Sequence, residues 1–119
     1  MERAVHSPAA MVRLTVALSA SSSRSAQDLL DGLRFLMSGT RLEPGCRGCS
    51  AWVDSDSTLQ YVEEWDTEAD MRQRVRSPRF TSLLGIIESA AAPPRVQFDF
   101  VTSTRGLDYV AQVRSDTLA

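Results

Sequence analysis

The sequence predicts an α+β fold of the ferredoxin-like kind, a β-α-β-β-α-β order in one antiparallel sheet with helices on one face. Three observations predict it. Residues 11–19 and 95–104 alternate apolar and polar side chains, the period of strands with one packed face. Residues 25–40 repeat apolar side chains at the i, i+3, i+4, i+7 spacing of a packed helix. Two strand-like runs between Cys46 and Trp65 flank Asp54-Ser55-Asp56-Ser57, a cluster of residues that bond their own backbone, so the pair reads as a hairpin. A strand and helix before a hairpin, and a helix and strand after it, make the split βαβ pattern.

Taken in order, residues 1–10 read as a disordered head, and Met11 could be the true start. In the first strand Val12, Leu14, Val16 and Leu18 share a face, opposite Arg13, Thr15, Ala17 and Ser19. Ser25, with Asp28 three residues on, fits the cap of the first helix. Its apolar face is Ala26, Leu29, Leu30, Leu33, Leu36, Met37 and Thr40, and Pro44-Gly45 closes it. The hairpin strands run over 46–53 and 58–65. In the second, Leu59, Tyr61, Glu63 and Trp65 share a face. Thr67 and Asp70 fit a capping box, and Met71 and Val75 form a thin apolar stripe up to Arg76. Ser77-Pro78 restarts the helix, with Phe80, Leu83, Leu84 and Ile87 inward. In the last strand Val96, Phe98 and Phe100 oppose Gln97 and Asp99. The core domain spans 11–105. The tail, 106–119, carries Leu107, Tyr109, Val110 and Val113 and is expected to pack on the domain or on a partner.

The composition narrows the function. The chain has 119 residues and a net charge of -2, and all 13 of its basic residues are arginines. An acidic balance argues against nucleic acid and anionic membrane as partners. The absence of lysine removes Schiff-base and P-loop chemistry. No apolar run approaches the ~18–20 residues of a membrane span, and Arg13 and Thr15 interrupt any signal-like core. A cytoplasmic location is expected. His6, the one histidine, lies in the head, so a histidine-based triad or metal site is not expected.

The remaining motifs are few. Cys46-Arg-Gly-Cys49 follows a helix and opens a strand, the reverse of a redox pair at a helix N-terminus, and it lacks a second ligand pair for zinc. Two small half-buried cysteines are the plainer reading. Asp54 and Asp56 lack the glycine and closing glutamate of a calcium loop. Glu63 and Glu64 point to opposite faces and cannot form a dyad. An ion pair with an arginine, at a sheet edge or between subunits, is favoured for them over a buried base. Trp52, Tyr61, Trp65 and Phe80 read as core, or as the wall of a pocket for a flat ligand.

Glu43-Pro-Gly-Cys, Tyr61-Val-Glu-Glu-Trp65, Ser77-Pro-Arg-Phe80 and Val96-Gln-Phe-Asp-Phe100, in this order and spacing, resemble the antibiotic biosynthesis monooxygenase family over residues 11–105. The resemblance implies a homodimer in which two ferredoxin-like sheets form a dimeric α+β barrel. It also implies oxidation of a quinol or aromatic polyketide-type molecule by dioxygen, with no metal or flavin cofactor. Residue by residue it matches Trp65, Glu64 and Phe80; with these, Trp65 and Arg74 are expected to be catalytic and Tyr61, Glu64, Phe80 and Arg79 substrate-binding, with Arg74 or Arg79 beside the substrate anion. Haem-degrading relatives carry a histidine where this chain has Arg74, and an asparagine in the first strand; this chain has no asparagine. The alternative is a non-catalytic binding or structural dimer of the same fold.

Overall fold

The computed structural model describes residues 11–55 and 57–116. The expected head, with His6, lies outside the described residues. The order is β1 (Met11–Ser19), α1 (Ser23–Thr40), β2 (Cys46–Ser55), β3 (Thr58–Trp65), α2 (Glu68–Arg76), α3 (Pro78–Glu88), β4 (Arg95–Val101) and α4 (Leu107–Asp116). The strands form one sheet in the order β2-β3-β1-β4, every pair antiparallel. This is the ferredoxin-like arrangement, with the helices on one face. No helix of the described residues is long and apolar enough to cross a membrane.

The alternation in β1 does what its period demands. Val12, Leu14, Val16 and Leu18 are buried, and the residues between them are more exposed. Register carries this face across the sheet: Val12 pairs with Trp65, Leu14 with Glu63, Val16 with Tyr61 and Leu18 with Leu59. Ala26, Leu30, Leu33 and Met37 of α1, Met71 of α2, and Phe80, Leu83 and Ile87 of α3 complete the core. At ~25 cal/mol per Å² of apolar area, this burial is the main favourable term in folding.

Capping sets the helix starts. Thr67 accepts from the Asp70 amide at 3.1 Å, and Ser77 accepts from the Phe80 amide at 3.4 Å, as the sequence predicts. The first helix differs. Its cap is Ser22, whose hydroxyl accepts from the Ser25 amide, and not Ser25 itself. Serines 21, 22 and 23 are equivalent as caps, so the short path from β1 chooses among them. Gly45, at φ 87°, turns the chain into β2. A Cβ there would overlap the Asp70 carboxyl, so both the turn and the approach require glycine.

Two expectations change. Val75 does not share the inward face of α2; Met71 and Arg74 do, because a buried carboxylate draws Arg74 in. The helix side of the sheet is also not fully covered. α1 lies over β2 and β3, α2 lies over β1 and β3, and α3 packs on α1. Among the described residues no helix packs closely on β4. Phe98 and Phe100, which pair with Leu14 and Val12, therefore stay 39% and 52% exposed on the helix side. β4 also ends at Val101, three residues earlier than the alternation predicts. No residue of α4 is buried.

Candidate functional site

β3 places Tyr61, Glu63 and Trp65 on the helix face at alternate positions. Glu63 is 0% exposed, the one carboxylate among the buried described residues. Its two oxygens accept four hydrogen bonds. Trp65 Nε1 (2.9 Å) and Arg74 Nε (3.1 Å) donate to Oε1. The Tyr61 hydroxyl (2.5 Å) and Arg74 Nη2 (2.7 Å) donate to Oε2. Arg74, 2% exposed, thus binds the carboxylate as a two-pronged fork. Its third nitrogen donates to Glu43 at 3.4 Å, and its guanidinium lies 5.2 Å from the Phe80 ring centroid. Every polar group in the cluster is satisfied, the condition under which a buried charge pair is tolerated.

Charge and burial act together here. Burial opposes the Arg74 charge, but its hydrogen bonds and attraction to Glu63 outweigh that, and the guanidinium is held above its ordinary value. Burial, reinforced by the Glu63 charge, pushes the Tyr61 phenol up. Cys49 Sγ donates to the Tyr61 hydroxyl at 3.3 Å, and burial pushes its thiol up to about 11. Burial also raises the Cys46 thiol. Both cysteines are free, and neither is an activated thiolate. Among the described residues no group of three or more His, Cys, Asp or Glu side chains could hold a metal ion.

The raised Cys49 value has a signed consequence. The unfolded thiol loses its proton in the ordinary cysteine range, whereas burial holds the proton on the folded one up to about 11. The contribution to stability is complete below pH 9 and is lost as pH rises towards 11, amounting to about 2–3 kcal/mol. Urea midpoints measured from pH 8 to 11 are expected to fall, and to fall less steeply in Cys49→Ala.

The structure thus brings Tyr61, Trp65, Arg74 and Phe80 together around Glu63, and leaves two other sequence-derived residues elsewhere. Glu64 lies on the opposite face of the sheet, where its Oε2 accepts from Arg13 Nε at 2.8 Å. Arg79 sits at the surface, 4.0 Å from Glu43. Trp52 is exposed on that opposite face.

Beside the cluster lies a half-open cleft of about 290 Å³ between α2 and β4. Met71, Val75, Phe98 and Phe100 give it apolar walls, and Glu68, Arg72 and Arg76 stand on its rim. Phe100, Val12 and Trp65 lie in one row across three strands, so the cleft sits about 10 Å from Trp65 at the same end of the sheet. The sequence reading missed these lining residues. The available signal was the Val96, Phe98, Phe100 face, apolar but beyond the reach of the helices. A larger hollow, about 400 Å³, lies between α1 and α3 among Ser21, Ser25, Asp28 and Ser89. It has no aromatic ring to stack on, and its aspartate would repel an anion.

Comparison with known proteins bears on the fold. No protein-family profile matches the chain. No curated protein sequence matches it. Solved structures do match. A proposed antibiotic biosynthesis monooxygenase from Deinococcus radiodurans superposes with a TM-score of 0.70 at 20% identity, covering 80% of this chain and 96% of that one. A second, from Nitrosomonas europaea, gives 0.68 at 13% identity, covering 86% and 100%. A possible oxidoreductase from Bacteroides thetaiotaomicron gives 0.68 at 16%, covering 78% and 99%. The chain has the fold of the antibiotic biosynthesis monooxygenase superfamily.

Proposed function

We propose that the protein binds an electron-rich aromatic molecule, a quinol or aromatic polyketide-type compound, in the cleft between α2 and β4. There it oxidises the molecule with dioxygen, without metal or flavin, as a homodimer. The observation that carries this reading is the cleft itself: two phenylalanines and a methionine to receive a flat ring, with two arginines on the rim. Arg76 has no hydrogen-bond or ion-pair partner among the described residues, so it is available to a phenolate. Glu68, on the same rim, is the carboxylate placed to take the phenolic proton. With an anthrone the chemistry balances simply. The ring methylene loses two hydrogens, one oxygen atom becomes the carbonyl, and the other leaves as water. Trp65 and Arg74 serve as positioning residues behind the cleft, with Tyr61 and Phe80, rather than as groups that touch substrate.

The test is dioxygen uptake by chelator-treated protein with a panel of quinols and anthrones. Uptake is expected, reduced by about 10–100-fold in Arg76→Ala, the worth of one charge-assisted hydrogen bond. One observation favours the second reading, a non-catalytic binding dimer: both oxygens of Glu63 are fully occupied, so the buried carboxylate is no base. An aromatic that binds and persists in oxygenated buffer, with no uptake across the panel, would establish that reading.

A further inference from the structure

The hollow between α1 and α3 plays no part in the proposed oxidation. It holds about 400 Å³ and lies past the end of β1, about 25 Å along that strand from the Val12 end where the cleft sits. Ser25, Asp28, Leu29 and Gly32 line it from α1, at the spacing of one helix stripe. Ile86, Ser89 and Ala91 line it from α3 and the turn that follows. Half-buried Leu29 and Ile86 make an apolar floor. Gly32 adds no side chain; a Cβ there would stand 3.3 Å from Ile86 Cδ1.

The rim of the hollow is chemically one-sided. Asp28 stands three residues after Ser25, where a capping-box carboxylate would accept from the amide of its cap. The cap is Ser22 instead, so Asp28 has no such amide to bond. Among the described residues its exposed carboxylate has no hydrogen-bond or ion-pair partner, and Arg24, one turn earlier on α1, makes no ion pair with it. The serine protons are largely spent. Ser89 Oγ donates to the Ile86 carbonyl (2.7 Å) and Ser22 Oγ donates to Ser25 Oγ (3.2 Å). One of Ser21 and Ser25 donates to the other (3.1 Å), which leaves a single spare proton between them. What faces the hollow is a carboxylate and hydroxyl lone pairs, acceptors with almost no donor. α3 also ends here with no basic side chain in its last turn, so its terminal carbonyls and Glu88 add negative potential. Arg24 and the positive end of α1 oppose them, the latter already capped by Ser22.

We propose that this hollow is a binding site for an aliphatic primary amine. An ammonium group brings three donors and no acceptor, the complement of such a rim. It donates to the Asp28 carboxylate and to the serine oxygens, while its hydrocarbon chain lies on Leu29 and Ile86 over the open space at Gly32. The site is separate from the aromatic cleft and takes a ligand of opposite charge.

Titration of the full chain with hexylammonium, followed by amide NMR at neutral pH and low ionic strength, tests the proposal. Shifts are expected at Ser25, Asp28, Gly32, Ser89 and Ala91, saturating with a Kd on the order of 1 mM. Asp28→Asn keeps the shape of an exposed side chain and is expected to weaken binding about fivefold, the worth of a partly exposed ion pair. Hexan-1-ol, with the same chain and no charge, is expected to bind the wild type at least about fivefold more weakly. Hexanoate is expected not to bind. Ala91→Phe puts a ring into the hollow without touching the charge and is expected to abolish the shifts. Should Ala91→Phe unfold, Ala91→Leu replaces it. Equal affinity in wild type and Asp28→Asn, equal affinity for hexan-1-ol, shifts confined to the cleft, or no shifts up to about 20 mM would each overturn the inference. The titration uses neither quinol nor dioxygen, so a failure of the oxygenase reading leaves this result unaffected.

Discussion

Glu63→Gln is expected to destabilise the fold by about 3–5 kcal/mol, the penalty for leaving a buried charge without its counter-ion. That is a large share of the roughly 5–15 kcal/mol that holds a domain of this size together. The substitution preserves shape, so the loss reports on charge and hydrogen bonding. Arg74 would keep its guanidinium between Phe80 and Glu43, with only a 3.4 Å contact to a half-buried carboxylate in place of its fork. Arg74→Met is expected to lose a similar amount, because Glu63 then retains only Tyr61 and Trp65 as donors. The double variant is the informative one. Its loss should fall well short of the sum, with a coupling of at least about 2 kcal/mol, because neither partner is left charged and alone. Thermal and urea unfolding of the four proteins measure this. Additive losses would mean that the pair is not coupled as its geometry implies.

Trp65→Ala is expected to lose about 3–5 kcal/mol by a different route, the cavity left when a large ring is removed from a closed core. Trp65 is 1% exposed and stands at the end of the sheet where β2, β3 and β1 meet it in register. Trp65→Phe separates the two roles of the ring. It keeps most of the volume and removes the indole N–H from Glu63 Oε1, a loss of about 1–2 kcal/mol. Calorimetry of the three proteins distinguishes them, and near-equal losses for Phe and Ala would show that the hydrogen bond, not the packing, dominates. Trp65 lies about 10 Å from the cleft, so a Trp65→Phe protein that stays folded yet loses dioxygen uptake would mark positioning as its second contribution.

Most of the fold was legible because the signals are local. Thr58–Trp65 could be bounded from a turn cluster at one end and a helix cap at the other. Thr67 and Ser77 could be named as caps from the side chains around them. Ser22 could not be chosen among three serines, because the choice depends on how the chain leaves β1. The site was only partly legible, for a related reason. Strand periodicity puts Glu63 on the apolar face with Tyr61 and Trp65, which amounts to a demand for a cation. Which of 13 arginines answers it depends on where α2 crosses the sheet. Helical periodicity pointed to Val75 as the inward residue, and the buried carboxylate overrode it in favour of Arg74. The cleft was hidden for a third reason. An alternating strand reads as covered, yet three helical segments reach only three of four strands, and the apolar face of Val96, Phe98 and Phe100 marks the cleft only once the path of the helices is known.

The most direct test of the cleft as the ligand site is a crystal structure with a quinol analogue that cannot be oxidised. The predicted result is a ring against Phe98 and Phe100 with its oxygen directed to Arg76 or Arg72. A ring in the hollow between α1 and α3, or against Glu64 and Trp52 on the opposite face of the sheet, would contradict it.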